Sequence, residues 1–169
     1  MIDAVRTSDA TMVTQLVALE TPQKGTFEAI HTALDAFSQP QLGPSTARLL
    51  VIPIGDESGA VRGGLWGHTS FGWLHVQMLY VPDALRGQGI GTRLMAAAEA
   101  EAKRRGCRGV HLCAYDFQAA AFYRRLGYTQ FGQLDDYPCG YDLIMLKKVF
   151  RGDVGGDVGQ VGCAPACCA

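Results

Sequence analysis

The chain lacks any apolar run near the roughly 20 residues that a bilayer span needs. Its first ten residues, Met1 to Ala10, lack both a basic start and an apolar stretch. Neither a membrane segment nor a secretory leader is read, and a cytoplasmic location is expected. Basic surplus is missing too: 15 Lys and Arg stand against 16 Asp and Glu, a formal net charge of −1. A protein that grips nucleic acid needs a basic face to neutralise phosphates, so that class is set aside. Charged residues make up only 18% of the 169 and apolar ones 48%, which excludes a disordered polyelectrolyte and leaves one ordinary globular domain. No Gly-Lys pair occurs anywhere, so a Walker loop is excluded.

Cysteine is present in six copies without a framework spacing. Cys107, Cys113 and Cys139 sit among apolar neighbours and read as small buried hydrophobes. Cys163, Cys167 and Cys168 lie in a Gly-rich tail with too few large apolar side chains to offset its ordering entropy. No histidine accompanies them and the spacing is not that of a zinc knuckle, so no metal is assigned. Residues 1–11 read as loosely held, 12–149 as the domain and 150–169 as a disordered tail.

Against these absences stands Arg86-Gly87-Gln88-Gly89-Ile90-Gly91, directly after an apolar run ending Tyr80-Val81-Pro82 and opening an alanine-rich helix. Glycines at this density let successive backbone N–H groups point at one spot, and the following helix adds its unpaired first-turn N–H groups and dipole. With the charge of Arg86, the natural guest is a phosphate or pyrophosphate. A dinucleotide fingerprint, G-x-G-x-x-G, fails on spacing: Leu94 or Thr92 stands at the third glycine.

Apolar spacing and turn residues predict the remaining elements. Thr11 to Glu20 reads as a strand. Thr21-Pro22 then opens a helix over about 22–38 with Phe27, Ile30, Leu34 and Phe37 inward, stopped by Gln39-Pro40 through Gly43-Pro44. Ala47–Ile54, Val61–His68 and Trp73–Val81 form an antiparallel meander. The helix after the glycine loop runs to Arg105 with Leu94, Met95, Ala98 and Ala102 inward. A strand over Gly109–Ala114, a helix over Gln118–Leu126 and strands over Tyr128–Gly132 and Tyr141–Val149 follow. The fold class is therefore α/β (α+β), a mixed and mostly antiparallel sheet of about six to seven strands with helices on both faces.

With both of its motifs in view, the sequence resembles the GNAT superfamily of acetyl-CoA-dependent N-acetyltransferases over roughly residues 12–149. The family's pyrophosphate motif, [RQ]-x-x-G-x-[GA], is matched by Arg86, Gly89 and Gly91. Its later helix, Ala-x-x-Phe-Tyr ending in Leu-Gly-[FY], is matched by Ala119, Phe122, Tyr123, Leu126, Gly127 and Tyr128. An asparagine often heads that second element in the family, and here Asp116 or Gln118 stands nearby instead.

The resemblance implies acetyl-CoA as cosubstrate, without a metal. It implies that the strand before the glycine loop splays from Gly109–Ala114 and pairs with the pantetheine arm through Leu79, Tyr80 and Val81, one N–H polarising the acetyl carbonyl. Arg86, Gly87, Gln88, Gly89, Ile90, Gly91 and Thr92 would hold the pyrophosphate, and Gln118, Ala119, Phe122 and Tyr123 would border the cofactor. Tyr123 stands where the family places the acid that protonates the leaving thiolate; its phenol is protonated at neutral pH. Strict alternation puts His75, Gln77 and Leu79 on one face and Val76, Met78 and Tyr80 on the other, which makes His75 the titratable candidate for the base, with a water chain to solvent as the alternative; Gln77 is expected as a substrate contact. Asp135 and Asp136 would suit a cationic amine, and they also read as a solvated acidic turn. Trp66, His68 and Trp73 read equally as acceptor lining or as core. The expected acceptor is a primary amine of a small molecule: a polyamine, an aminoglycoside-like antibiotic or an amino-acid derivative. Acetylation of a protein lysine or N-terminus, and an acyl-CoA sensor without turnover, are the alternatives. Many relatives dimerise through the last strands, which leaves a homodimer open.

Overall fold

The computed structural model describes residues 18–150, and the chain divides into two compact units, 1–43 and 44–169. Most of the strand expected over Thr11–Glu20, and the tail with Cys163, Cys167 and Cys168, lie outside the described residues; 18–20 form no strand.

In the first unit, α1 (Thr26–Leu42) begins four residues later than Thr21-Pro22 predicts. Gly25 explains the delay. It takes a left-handed turn, φ 86°, and its carbonyl accepts the Ala29 N–H at 3.0 Å. Pro40 does not stop the helix, because in the last turn it removes one bond and φ stays helical. Gly43, at φ 70°, ends it by donating its N–H to the Gln39 carbonyl. Phe27, Ile30, Leu34 and Phe37 are exposed. The inward face expected for them is not realised, since no second element among the described residues of this unit offers a surface to bury it.

In the second unit lie β1 (Arg48–Gly55), β2 (Val61–Ser70), β3 (Trp73–Tyr80), a short 3-10 turn at Asp83–Leu85, α2 (Ile90–Arg104), β4 (Gly109–Tyr115), α3 (Ala120–Arg125), β5 (Thr129–Leu134) and β6 (Leu143–Val149). They form a six-stranded sheet in the order β1-β2-β3-β4-β6-β5. Every neighbouring pair is antiparallel except β3 and β4, which α2 connects in parallel. Leu94, Met95, Ala98 and Ala102 are the four buried residues of α2, as their spacing predicts. Met95, Ala98 and Ala102 join Leu50, Leu65, Leu74, Val76, Leu112, Ile144 and Leu146 in one core, to which α3 adds Ala120 and Tyr123. Both helices of this unit thus pack on the same face of the sheet. The opposite face carries His68, His75 and His111. Cys107 is buried as expected. Cys113 and Cys139 are exposed instead, because Cys113 alternates with buried Leu112 and Ala114 on β4 and Cys139 lies in the β5–β6 connection.

Candidate active site

Strands β3 and β4 pair over only four residues, Trp73–Val76 with Gly109–Leu112. Beyond Val76, β3 continues along β2 as far as Tyr80 while its other edge has no strand partner. An open edge beside a departing strand is a slot for an extended, amide-bearing ligand. A bulge falls at the same point: Trp66 pairs with Met78 and Gly67 with Val76, so Gln77 is the extra residue. A side chain at Gly67 would collide with the His75 carbonyl, so the close approach of β2 at the bulge requires glycine. The bulge overturns the strict alternation expected along β3. Leu79 packs against the core with Leu74 and Val76, while Gln77 is exposed, so His75, Gln77 and Leu79 do not share one face.

The glycine loop lies just past this slot. Gly87 and Gly89 both sit at φ 73°, in the left-handed region, and Gly89 precedes α2 with no side-chain cap. The first bond of the helix is Arg93 N–H to the Gly89 carbonyl, 3.0 Å. The N–H groups of Ile90, Gly91 and Thr92 therefore lie ahead of the ladder at the positive end of α2. A cavity of about 410 Å³ opens there. Leu79, Val81, Arg86, Gly87, Gly89, Ile90, Gly91, Thr92, Ala119 and Phe122 line it, ten of the residues expected for the donor. Tyr80, Gln88, Gln118 and Tyr123 are not in the lining. The Tyr80 ring lies 5.9 Å beneath the Arg86 guanidinium, the Gln88 amide donates to the Ala84 carbonyl at 2.9 Å, and the Gln118 N–H donates to the Tyr115 carbonyl ahead of α3. Leu85 and Arg125 line the cavity unforeseen. A basic residue closing the second motif's helix was the available signal for Arg125. Arg86 is aimed by its Nε–H bond to the Val81 carbonyl, 3.1 Å, and by Asp83 at 2.8 Å. A β-carbon at Gly91 would come within 3.3 Å of the Phe122 ring, so a small residue there lets α2 meet α3 closely. Uncapped N–H groups and two guanidiniums around one hollow fit a pyrophosphate.

Tyr123 is 5% exposed, its ring edge-on between Phe122 at 5.0 Å and Tyr128 at 5.7 Å. Among the described residues its hydroxyl has no hydrogen-bond partner, yet no fully buried side-chain polar atom there is left unpaired, so the oxygen keeps a small solvent exposure. Burial pushes the phenol up to about 12, which keeps it protonated at neutral pH. Tyr128 is fixed in turn: its hydroxyl donates to Glu99 at 3.0 Å, and Lys148 holds the other Glu99 oxygen at 2.7 Å. The ring behind Tyr123 is thereby tied to α2 and β6.

His75 stacks on His111, centroids 4.5 Å apart and planes 10° off parallel, and meets His68 edge-on at 5.4 Å. Burial lowers His75, with His111 and His68 adding to the effect, and lowers His111, with His68 adding. Both are neutral at pH 7. No group of three or more His, Cys, Asp or Glu among the described residues is arranged to hold a metal ion. Trp66 is 41% exposed and His68 and Trp73 are half-buried, so none of the three is core. Asp135 and Asp136 are exposed and serve their own turn: Asp135 accepts from the Gln133 amide at 2.7 Å and Asp136 from the Gly140 N–H.

Comparison with known proteins matches residues 46–130 to the acetyltransferase (GNAT) domain. An acetyltransferase of Agrobacterium fabrum, Atu2258, is 42% identical over 123 residues, 73% of this chain and 90% of that one. Blasticidin-S acetyltransferase of Streptomyces morookaense is 45% identical over 93 residues, 54% of this chain and 68% of the relative. A solved structure of a candidate acetyltransferase from Agrobacterium tumefaciens matches with a TM-score of 0.76 and 39% identity, over 81% of this chain and 100% of the other.

Proposed function

The chain belongs to the GNAT family of acetyl-CoA-dependent acetyltransferases, and from that premise we propose that its acceptor is a primary amine on a small molecule. The observation that carries this reading is the 45% identity over 93 residues to an enzyme named for its action on blasticidin S. Polyamines, aminoglycoside-like compounds and amino-acid derivatives are the acceptor chemistries proposed.

Bound acetyl-CoA supplies an acyl thioester already activated for attack by an amine. Arg86, Arg125 and the N–H groups at the start of α2 hold its pyrophosphate. The open edge of β3 at Leu79, and Val81 just past its end, pair with the amides of the pantetheine arm, so the grip is made by main chain. An N–H near the bulge, at Leu79, polarises the thioester carbonyl where negative charge develops. Neutral His75 accepts the proton that the substrate ammonium must lose. It stands two residues before the bulge, roughly 7 Å along the strand, so a water links it to the amine. As the N–C bond forms and the C–S bond breaks, Tyr123 donates its phenolic proton to the departing sulfur and is restored by the second proton that the nitrogen sheds. Gln77 and the carboxylates of Asp135 and Asp136 face the acceptor side, the latter as a field that attracts a cation rather than as direct ligands.

Mass spectrometry of a mixed library of amines, amino-acid derivatives, nucleoside antibiotics and lysine peptides, incubated with enzyme and acetyl-CoA, tests the reading. A singly acetylated small amine is expected. Acetylation of peptides alone, or of nothing, would overturn it in favour of a protein acetyltransferase or a sensor.

A further inference from the structure

A second cavity, of about 450 Å³, opens on the histidine-bearing face, lined by Ser70, Phe71, Trp73, His111, Phe131 and Lys147. We propose that it is a binding site for a small aromatic carboxylate, separate from the acetyl-CoA cavity. Four of its six lining residues are aromatic rings or an imidazole, a surface that favours a flat π-system over an aliphatic chain. Trp73 meets His111 edge-on at 6.2 Å, and the Lys147 ammonium stands 5.4 Å from the centre of the Phe131 ring. No carboxylate belongs to the lining. Among the described residues Lys147 has no ion pair, whereas its neighbour Lys148, on the core face of β6, is paired with Glu99 at 2.7 Å. One half-buried, uncompensated cation among rings complements a single negative charge carried on an aromatic body.

The backbone adds an independent argument. Phe71 occupies the β2–β3 turn at φ 47°, in the left-handed region where glycine or asparagine is the ordinary residue. Its N–H is tied to the Thr46 hydroxyl at 3.0 Å, and its ring is 47% exposed at the rim of the cavity. A bulky ring held in a strained turn without burying itself points to a use for the ring. Trp73 opens β3 and Leu79 stands near its far end, six residues or roughly 20 Å away, so both cavities can be filled at once.

Benzoate is the probe, and the indole N–H resonances of the full chain are the readout, with Trp66→Phe identifying the Trp73 signal. Benzoate is expected to shift the Trp73 resonance saturably, with and without coenzyme A present, and benzyl alcohol to bind about tenfold more weakly. Lys147→Met should remove the difference between the two probes. Phe71→Asn should weaken benzoate several-fold while leaving the melting temperature unchanged or higher, because it relieves the turn. No saturable shift, equal binding of both probes, an unaltered benzoate affinity in Lys147→Met, or displacement of benzoate by coenzyme A would overturn the proposal. His111 in the lining stacks on His75, but benzoate is scored by binding rather than by acetyl transfer, so its outcome is read separately from the acceptor assignment.

Discussion

The two sides of the β3–β4 opening are built from different material. On the side proposed for the donor the groups on offer are backbone: an unpaired strand edge, two left-handed glycines and an uncapped helix start, with Arg86 and Arg125 in the cavity lining. On the side proposed for the acceptor they are side chains: stacked imidazoles, an exposed Gln77 and carboxylates that hydrogen-bond within their own turn. A main-chain site tolerates almost any side chain except at the few positions where a β-carbon is forbidden. A side-chain site can change its guest with every substitution. The donor should therefore be common to the family, and the acceptor particular to this chain.

Perturbing the two sides should give effects of very different size. Gly89→Val places a β-branched residue at φ 73° and should weaken coenzyme A binding by about 100-fold or more, read by calorimetry with circular dichroism to show that the fold persists. Tyr123→Phe should lower kcat by about 100-fold and leave coenzyme A affinity unchanged; equal losses in both would make Tyr123 a structural residue. Arg86→Ala removes one charge-assisted contact and should cost about tenfold in affinity, with a weaker salt dependence than the wild type. Asp135→Asn, on the acceptor side, should change the acceptor KM by no more than about twofold, because its carboxylate is a turn acceptor and only a distant field. A tenfold rise in KM would make it a direct ligand and weaken the contrast between the two sides.

The histidine stack carries its own pH signature. His75 and His111 both lie below the ordinary value of 6.5 in the folded chain, so the unfolded chain takes up protons first as pH falls. Their contribution to stability is complete above about pH 6.5 and drains below it, levelling off beneath the folded values. Thermal melts should show a fall in Tm on acidification, and His75→Gln with His111→Gln should flatten that fall. An unchanged slope would place the titrating groups elsewhere.

The same division governs what could be read in the sequence. The spacing of Arg86, Gly89 and Gly91 and the Ala119-to-Tyr128 run encode a backbone geometry, and ten expected donor residues line the cavity. The α2 face was equally legible, since Leu94, Met95, Ala98 and Ala102 obey one helical period against a flat sheet. Alternation along β3 failed because one extra residue, Gln77, reverses the faces beyond it, and its only trace in the sequence is a glycine at position 67 on another strand. The histidine stack could not be read for a related reason. His68, His75 and His111 become neighbours only through strand register, and register is set by long-range pairing rather than by local pattern. The helix at 22–38 was misplaced by the left-handed turn at Gly25, which outweighed the Thr-Pro start signal.

Backbone amide exchange, measured residue by residue with and without coenzyme A, tests the main-chain account most directly. Slowed exchange at Leu79, Val81 and Gly89 to Thr92 on binding is the predicted result, with Gln133 to Tyr137 unchanged. Saturating coenzyme A without protection at those amides would contradict it.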